Sequence, residues 1–228
     1  MDITLSYSQA STWEQCKRRW GYRYWFQEPS TPTEALIAGG RIHKEIEEYL
    51  NNEVLLLDQG SDAYQAKQFI EEKCFDTMEV ETHLEYLEGN TTLHGYADVI
   101  LRFCTGETCI IDWKTTIKNK APASMKPEHK EQLHLYGFMA GLKEDDPLII
   151  HYPQFGKTFE IPYSPAYAEG TVQWMLDVAD DIREVYANFG HDTTPEEFPC
   201  NTTKLCGWCD YKDICPSSYD KMKKELRK

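Results

Sequence analysis

The stretch GYADVILRF (95–103), followed after the turn Thr105-Gly106-Glu107 by CIIDWKTT (109–116), decides the fold. Both segments are rich in β-branched and apolar residues and too short for helices, so they read as strands. In a strand, residues two apart share a face. Asp112 and Lys114 therefore project together, while Ile111 and Trp113 point to the other side. With Asp98 on the preceding strand, two carboxylates and an ammonium are gathered at one place on a sheet. Isolated charge is costly to bury, so these groups must be paired, solvated or bound to something.

Working outward, the spacing predicts strands over 80–87, 92–103 and 108–115, joined by tight turns into an antiparallel meander. Two more strands are expected at 148–152 and 157–162, around a turn at Phe155-Gly156. Helical periodicity covers 35–50 (Ile42, Ile46, Tyr49 and Leu50 inward), 62–77, 127–142 and 165–189. A first helix, capped by Ser6 or Ser8, is expected to run to about Phe26 with Trp13, Cys16, Trp20 and Tyr24 on one face. The order gives an α/β protein, a mixed sheet with helices against it. At 228 residues the chain suits a single well-buried domain, 1–228.

The formal charge of −14 argues against nucleic-acid binding by bulk electrostatics, yet carboxylates that hold cations can still face phosphate. Basic clusters remain at Lys17-Arg18-Arg19, at Lys114, Lys118, Lys120 and Lys126, and in the tail 221–228. The start of the chain lacks a basic, apolar leader, and the longest apolar runs, such as Val54–Leu57, are too short to cross a bilayer. The expectation is a soluble, cytoplasmic protein. Gly156-Lys157-Thr158 resembles the end of a phosphate-binding loop, but no glycine stands at Ile150 or His151, so no ATPase is read here.

Eight cysteines without an export signal point to metal ligation or catalysis for the clustered ones. Cys206, Cys209 and Cys215 form C-x2-C-x5-C, and Cys16 stands alone near the other end. Four thiolates suit tetrahedral Zn2+ or a [4Fe–4S] cluster. Cys200 is a fifth candidate, and Cys74, Cys104 and Cys109 are expected to be small buried residues. Asp98 and Asp112 on adjacent strands would suit a hard divalent cation, Mg2+ or Mn2+.

Gly39-x3-His43, Gly95-x2-Asp98, Asp112-x-Lys114 and Gln132-x3-Tyr136, in that order, resemble the PD-(D/E)XK nuclease superfamily, and more narrowly its RecB-like iron–sulfur branch of phage exonucleases and CRISPR adaptation nucleases. SYSQASTWEQCKRRWGYRY (6–24) is similar to the N-terminal segment of that branch. The resemblance implies a restriction-endonuclease-like mixed sheet flanked by helices, with its core at about 35–163. A helical iron–sulfur lobe would come from about 1–30 and 198–218. It implies that His43, Asp98, Asp112 and the backbone carbonyl of Trp113 ligate Mg2+ or Mn2+, with Glu81 as an accessory acid preferred over Glu85. Lys114 would be the catalytic lysine, positioned with the DNA backbone by Gln132 and Tyr136. Cys16, Cys206, Cys209 and Cys215 would hold a structural [4Fe–4S] cluster, in preference to Zn2+. The implied activity is a DNA exonuclease on single strands or ends, with a separate helicase, a recombination protein or a CRISPR integrase as candidate partners. The rival reading is a non-catalytic DNA-binding or assembly module on the same fold.

Overall fold

The computed structural model describes residues 1–51, 58–116, 119–189 and 193–216. The apolar run at 54–57, Lys118 and the basic tail at 221–228 lie outside the described residues. The elements are β1 (Ile3–Ser6), α1 (Tyr7–Gln15), α2 (Lys17–Trp20), a π-helical turn (Gly21–Trp25), α3 (Glu34–Leu50), α4 (Asp62–Glu71), β2 (Thr77–Glu88), β3 (Thr91–Arg102), β4 (Thr108–Trp113), α5 (Pro127–Met139), β5 (Pro147–Tyr152), β6 (Lys157–Pro162) and α6 (Pro165–Phe189). Six strands form one mixed sheet in the order β1-β3-β4-β5-β6, with β2 also paired to β3. β3 and β4 run antiparallel, β4 and β5 parallel, β5 and β6 antiparallel. This is the mixed α/β, restriction-endonuclease-like architecture expected. None of the described helices is long and apolar enough to cross a membrane.

The chain divides into two compact units. One comprises 32–86 and 94–173. Here α3 and α4 lay Ile42, Ile46, Leu50, Ala66 and Ile70 on Val99, Leu101, Ile111 and Trp113 of the sheet. Each of the Ile, Leu and Val side chains contributes roughly 1.5–3 kcal/mol on burial. Alternation sends Asp98, Ile100, Ile110 and Asp112 to the opposite face. The hairpin between β5 and β6 closes at Gly156, whose φ of 56° favours glycine.

The other unit comprises 1–31, 87–93 and the chain from 174. Trp13, Trp20, Trp25 and Phe26 pack around Phe198 with edge-on and tilted rings. β1 enters this unit through the Ile3 N–H, which donates to the Asn90 carbonyl at 2.9 Å.

Four expectations need correction. The first helix is not continuous to Phe26: Ser6 caps α1, but Cys16 is extended (φ −167°, ψ 106°). The Arg18 N–H donates to the Pro199 carbonyl at 3.1 Å, so that donor leaves the helical ladder. The 62–77 helix stops at Glu71, because Asp76 already donates to the Arg102 carbonyl and joins the sheet. β1 was not anticipated; four residues give too short a pattern to register. Of three cysteines expected to be buried, only Cys109 is; Cys74 and Cys104 sit exposed beside turns.

Candidate active site

The antiparallel register pairs Val99 with Ile111 and Ile100 with Ile110; continued one step, it sets Asp98 across from Asp112. Two carboxylates facing each other on buried strands need cations. Lys114 meets Asp112 at 2.6 Å, and His43 Nδ1 of α3 stands 3.5 Å from Asp98. Asp98 is fixed further by the Trp113 N–H, which donates to its Oδ2 at 2.6 Å. Lys114 Nζ also donates to Gln132 Oε1 at 3.3 Å, and Gln132 Nε2 donates to the Tyr136 hydroxyl at 2.9 Å. A hydrogen-bonded line thus runs from the buried carboxylate through the lysine to α5.

The glycine of Gly95-x2-Asp98 has a steric reason. A Cβ there would stand 2.4 Å from Cε1 of Tyr136, so only glycine lets the ring approach β3.

His43, Glu81 and Asp98 bring one ligand atom each to within 4.8 Å of one another. Glu81, whose backbone is left-handed with φ of 49°, takes part in this trio. Glu85 instead lies 3.6 Å from His83. Asp112, expected as a ligand, is adjacent to this trio but engaged with Lys114. The set of one imidazole and carboxylates suits a divalent ion such as Mg2+ or Mn2+.

The electrostatics follow the crowding. Burial, then the charge of Asp98, pushes the Glu81 carboxyl up to about 7. Burial likewise raises Asp112, with Lys114 opposing it. Burial works against the Lys114 ammonium, but Asp112 and Asp98 outweigh it and raise its pKa. His43 is pulled down by burial and lifted more by Asp98, with a net rise. Three carboxyl groups crowded together, two of them with raised pKa values, make a site whose repulsion a divalent cation would relieve.

A cavity of about 510 Å3 opens beside Lys114, lined also by Lys120, Lys126, His129 and Tyr152. Burial and the charges of Lys114 and Lys126 hold the His129 imidazole down at about 4. Sequence reading noted the lysines but missed His129 and Tyr152. The only signal for the histidine was its place in the first turn of α5.

In the other unit, Cys16, Cys200, Cys206, Cys209 and Cys215 line one small pocket with Tyr22 and Tyr211. The extended backbone at Cys16 is held there by its neighbours. Arg18 donates to the carbonyls of Phe198 (3.0 Å) and Glu196 (2.7 Å), and Asn201 Nδ2 donates to the Gln15 carbonyl at 3.1 Å.

A mixed sheet of this topology with an Asp, Asp-x-Lys set beside a three-ligand acidic site defines a metal-dependent nuclease class. The family model of the PD-(D/E)XK nuclease superfamily matches residues 56–216, and the chain belongs to that superfamily. Among solved structures, it is similar to SSO0001 (19% identity, TM-score 0.53, covering 94% of this chain and 87% of that one). It is also similar to a candidate exonuclease from Eubacterium rectale (13% identity, TM-score 0.55, covering 94% and 90%). At these identities the likeness is one of fold. No curated protein matches significantly.

Proposed function

We propose that the protein is a divalent-metal-dependent deoxyribonuclease, an exonuclease acting on single strands or DNA ends. The observation that carries this reading is the approach of His43, Glu81 and Asp98 beside the Asp112–Lys114 pair. His43, Asp98 and Asp112, with the Trp113 carbonyl and Glu81, would hold Mg2+ or Mn2+. When bound, the ion polarises the scissile phosphate and makes its water a stronger nucleophile. Lys114 stays an ammonium, since Asp112 and Asp98 raise its pKa. It therefore orients the attacking water and offsets the negative charge that develops on the phosphate, and does not act as a base. Gln132 and Tyr136 hold that ammonium in place against α5.

We further read Cys16, Cys206, Cys209 and Cys215 as ligands of a structural [4Fe–4S] cluster, with Cys200 beside them. The family match runs to residue 216 and takes in three of these cysteines. Among the described residues the one group with three ligand atoms within 4.8 Å of each other is His43–Glu81–Asp98. Both units would then serve one nuclease spanning 1–228. Its partners would be DNA and, beyond it, a helicase, recombination protein or integrase on a separate chain.

The test is cleavage of oligonucleotides labelled separately at each end, with Mg2+ and with Mn2+. Asp112→Ala and Lys114→Ala should fold, keep a brown colour with absorbance near 400 nm, and lose cleavage by at least about a hundredfold. Undiminished cleavage by either variant would overturn the catalytic assignment. Colourless wild-type protein carrying one zinc would overturn the cluster alone.

A further inference from the structure

We propose that Tyr96, backed by His83, is a stacking platform for an unpaired nucleobase, so that the strand reaching Asp98 enters the site single-stranded. The inference rests on the nuclease reading above and names its substrate form.

Tyr96 lies two residues before Asp98 on β3. The burial of β3 alternates from Thr91 to Ala97, so His94 and Tyr96 share a face; the alternation ends at Asp98, which is buried. Ala97 through Leu101 are buried, yet Tyr96 is 53% exposed. A large ring left in solvent beside a buried carboxylate is the feature that needs a reason. His83 of β2 lies against it, with ring centroids 4.7 Å apart and planes at 28°. His94 continues the strip, meeting His83 edge-on at 5.9 Å. Three rings therefore form one strip, in which Tyr96 stands two residues from Asp98 and His83 two residues from Glu81.

The platform is also tied to the catalytic line. The Tyr136 hydroxyl is hydrogen-bonded to the Tyr96 backbone as well as to Gln132, which accepts from Lys114. A displacement of β3 at Tyr96 would be felt at the lysine. Along a strand, two residues span roughly 6.7 Å. That is within the reach between a nucleobase and its neighbouring phosphate, so a base on Tyr96 places a phosphodiester near Asp98.

The chemistry selects an aromatic, uncharged contact. Glu85 stands 3.6 Å from His83, so this strip offers ring faces and no net positive charge to a phosphate. Base stacking suits a chain with formal charge −14, because it does not depend on attracting the backbone. In a duplex the base faces are already covered by neighbours. Only a single strand, a frayed end or an extruded base can use the platform.

The experiment compares wild type, Tyr96→Ala, Tyr96→Phe and His83→Ala on one labelled strand, free and in duplex, with Mn2+; melting curves check that each variant folds. The same strand carrying abasic sites, and one carrying a fluorescent base analogue in EDTA, complete the set. For Tyr96→Ala we expect kcat/KM on the single strand to fall about tenfold (range about 5 to 150), while Tyr96→Phe, which keeps the π-face, stays near wild type. An abasic site at the stacked position should reproduce that loss in wild type and add nothing in Tyr96→Ala. The analogue should be quenched by wild type and not by Tyr96→Ala. Tyr96→Ala within twofold of wild type on single strands, or quenching the analogue as wild type does, would overturn the platform. If wild type cleaves no DNA, the nuclease reading falls; quenching that is lost in Tyr96→Ala would still support the platform, and unchanged quenching would sink it.

Discussion

Gly95 is the residue on which the geometry of the site turns most sharply. Its missing side chain lets the Tyr136 ring reach β3, and Tyr136 in turn anchors Gln132 against Lys114. Gly95→Ala puts a methyl group into an aromatic ring at 2.4 Å, so the ring or the strand must move. The expected cost is about 1–3 kcal/mol of stability, as for other overpacked sites. Cleavage should fall more than stability does, since the lysine loses its support. In a Tyr136→Ala background the stability cost of Gly95→Ala should vanish, because the clash is gone. A denaturation double-mutant cycle measures this, and additive costs would refute the steric account. Asp112 and Lys114 were legible in the sequence because strand alternation puts them on one face, Asp98 because it falls on the preceding strand, and Gly95 only through the resemblance of Gly95-x2-Asp98 to the family's motif. Glu81 was legible only as one of two acids. What sets it apart from Glu85 is its place beside His43 and Asp98, on a left-handed backbone at a non-glycine residue that no side-chain pattern announces. Nor does sequence separation show that Lys114 engages Asp112 while Asp98 faces His43.

At the scale of elements, the long periodic pieces were readable: α3, α5, α6 and strands β2 to β6 lie within a few residues of their expected bounds. The break at Cys16 was not, because the pull on the Arg18 N–H comes from Pro199, far along the chain. The junction of α4 with β5 supports a pH prediction. His151 is 2% exposed, stacks on Phe69 with centroids 4.0 Å apart, and pairs with Thr158 at 2.9 Å. Burial, aided by the charge of Lys73, holds its imidazole down at about 4, against an ordinary 6.5. The unfolded chain therefore binds a proton at higher pH than the folded one. Stability from this group is fully present above about 6.5 and is lost as pH falls through about 4. Between pH 7 and pH 5 that amounts to roughly 2 kcal/mol. His151→Phe keeps the stack on Phe69 and removes the titration. It should be less stable than wild type at pH 7, having lost the Thr158 hydrogen bond, yet lose less on acidification. Urea titrations at several pH values read this difference, and parallel pH profiles would contradict it.

Across the whole molecule, the two units differ in what holds them. The unit with the nuclease residues buries a conventional sheet-and-helix core. In the other, residues 7–26 are secured by an aromatic cluster around Phe198 and by Arg18, which fills two backbone carbonyls. Residues 200–216 have far less: only Tyr211 and Cys215 are buried among them, and their helix is a single 3-10 piece. If a cluster is their main anchor, removing iron with an oxidant and chelator should open that segment alone. Deuterium uptake should rise across 200–216, while 7–26 keep most of their protection through Trp13, Trp20 and Phe198. Strands 96–113 should be unchanged, since their hydrogen bonds lie in the other unit. The protein would then differ from a zinc finger, which unfolds outright without its metal. A loss of protection spread over both units would mean that the cysteines hold up the fold as a whole; no change at 200–216 would mean that they hold nothing.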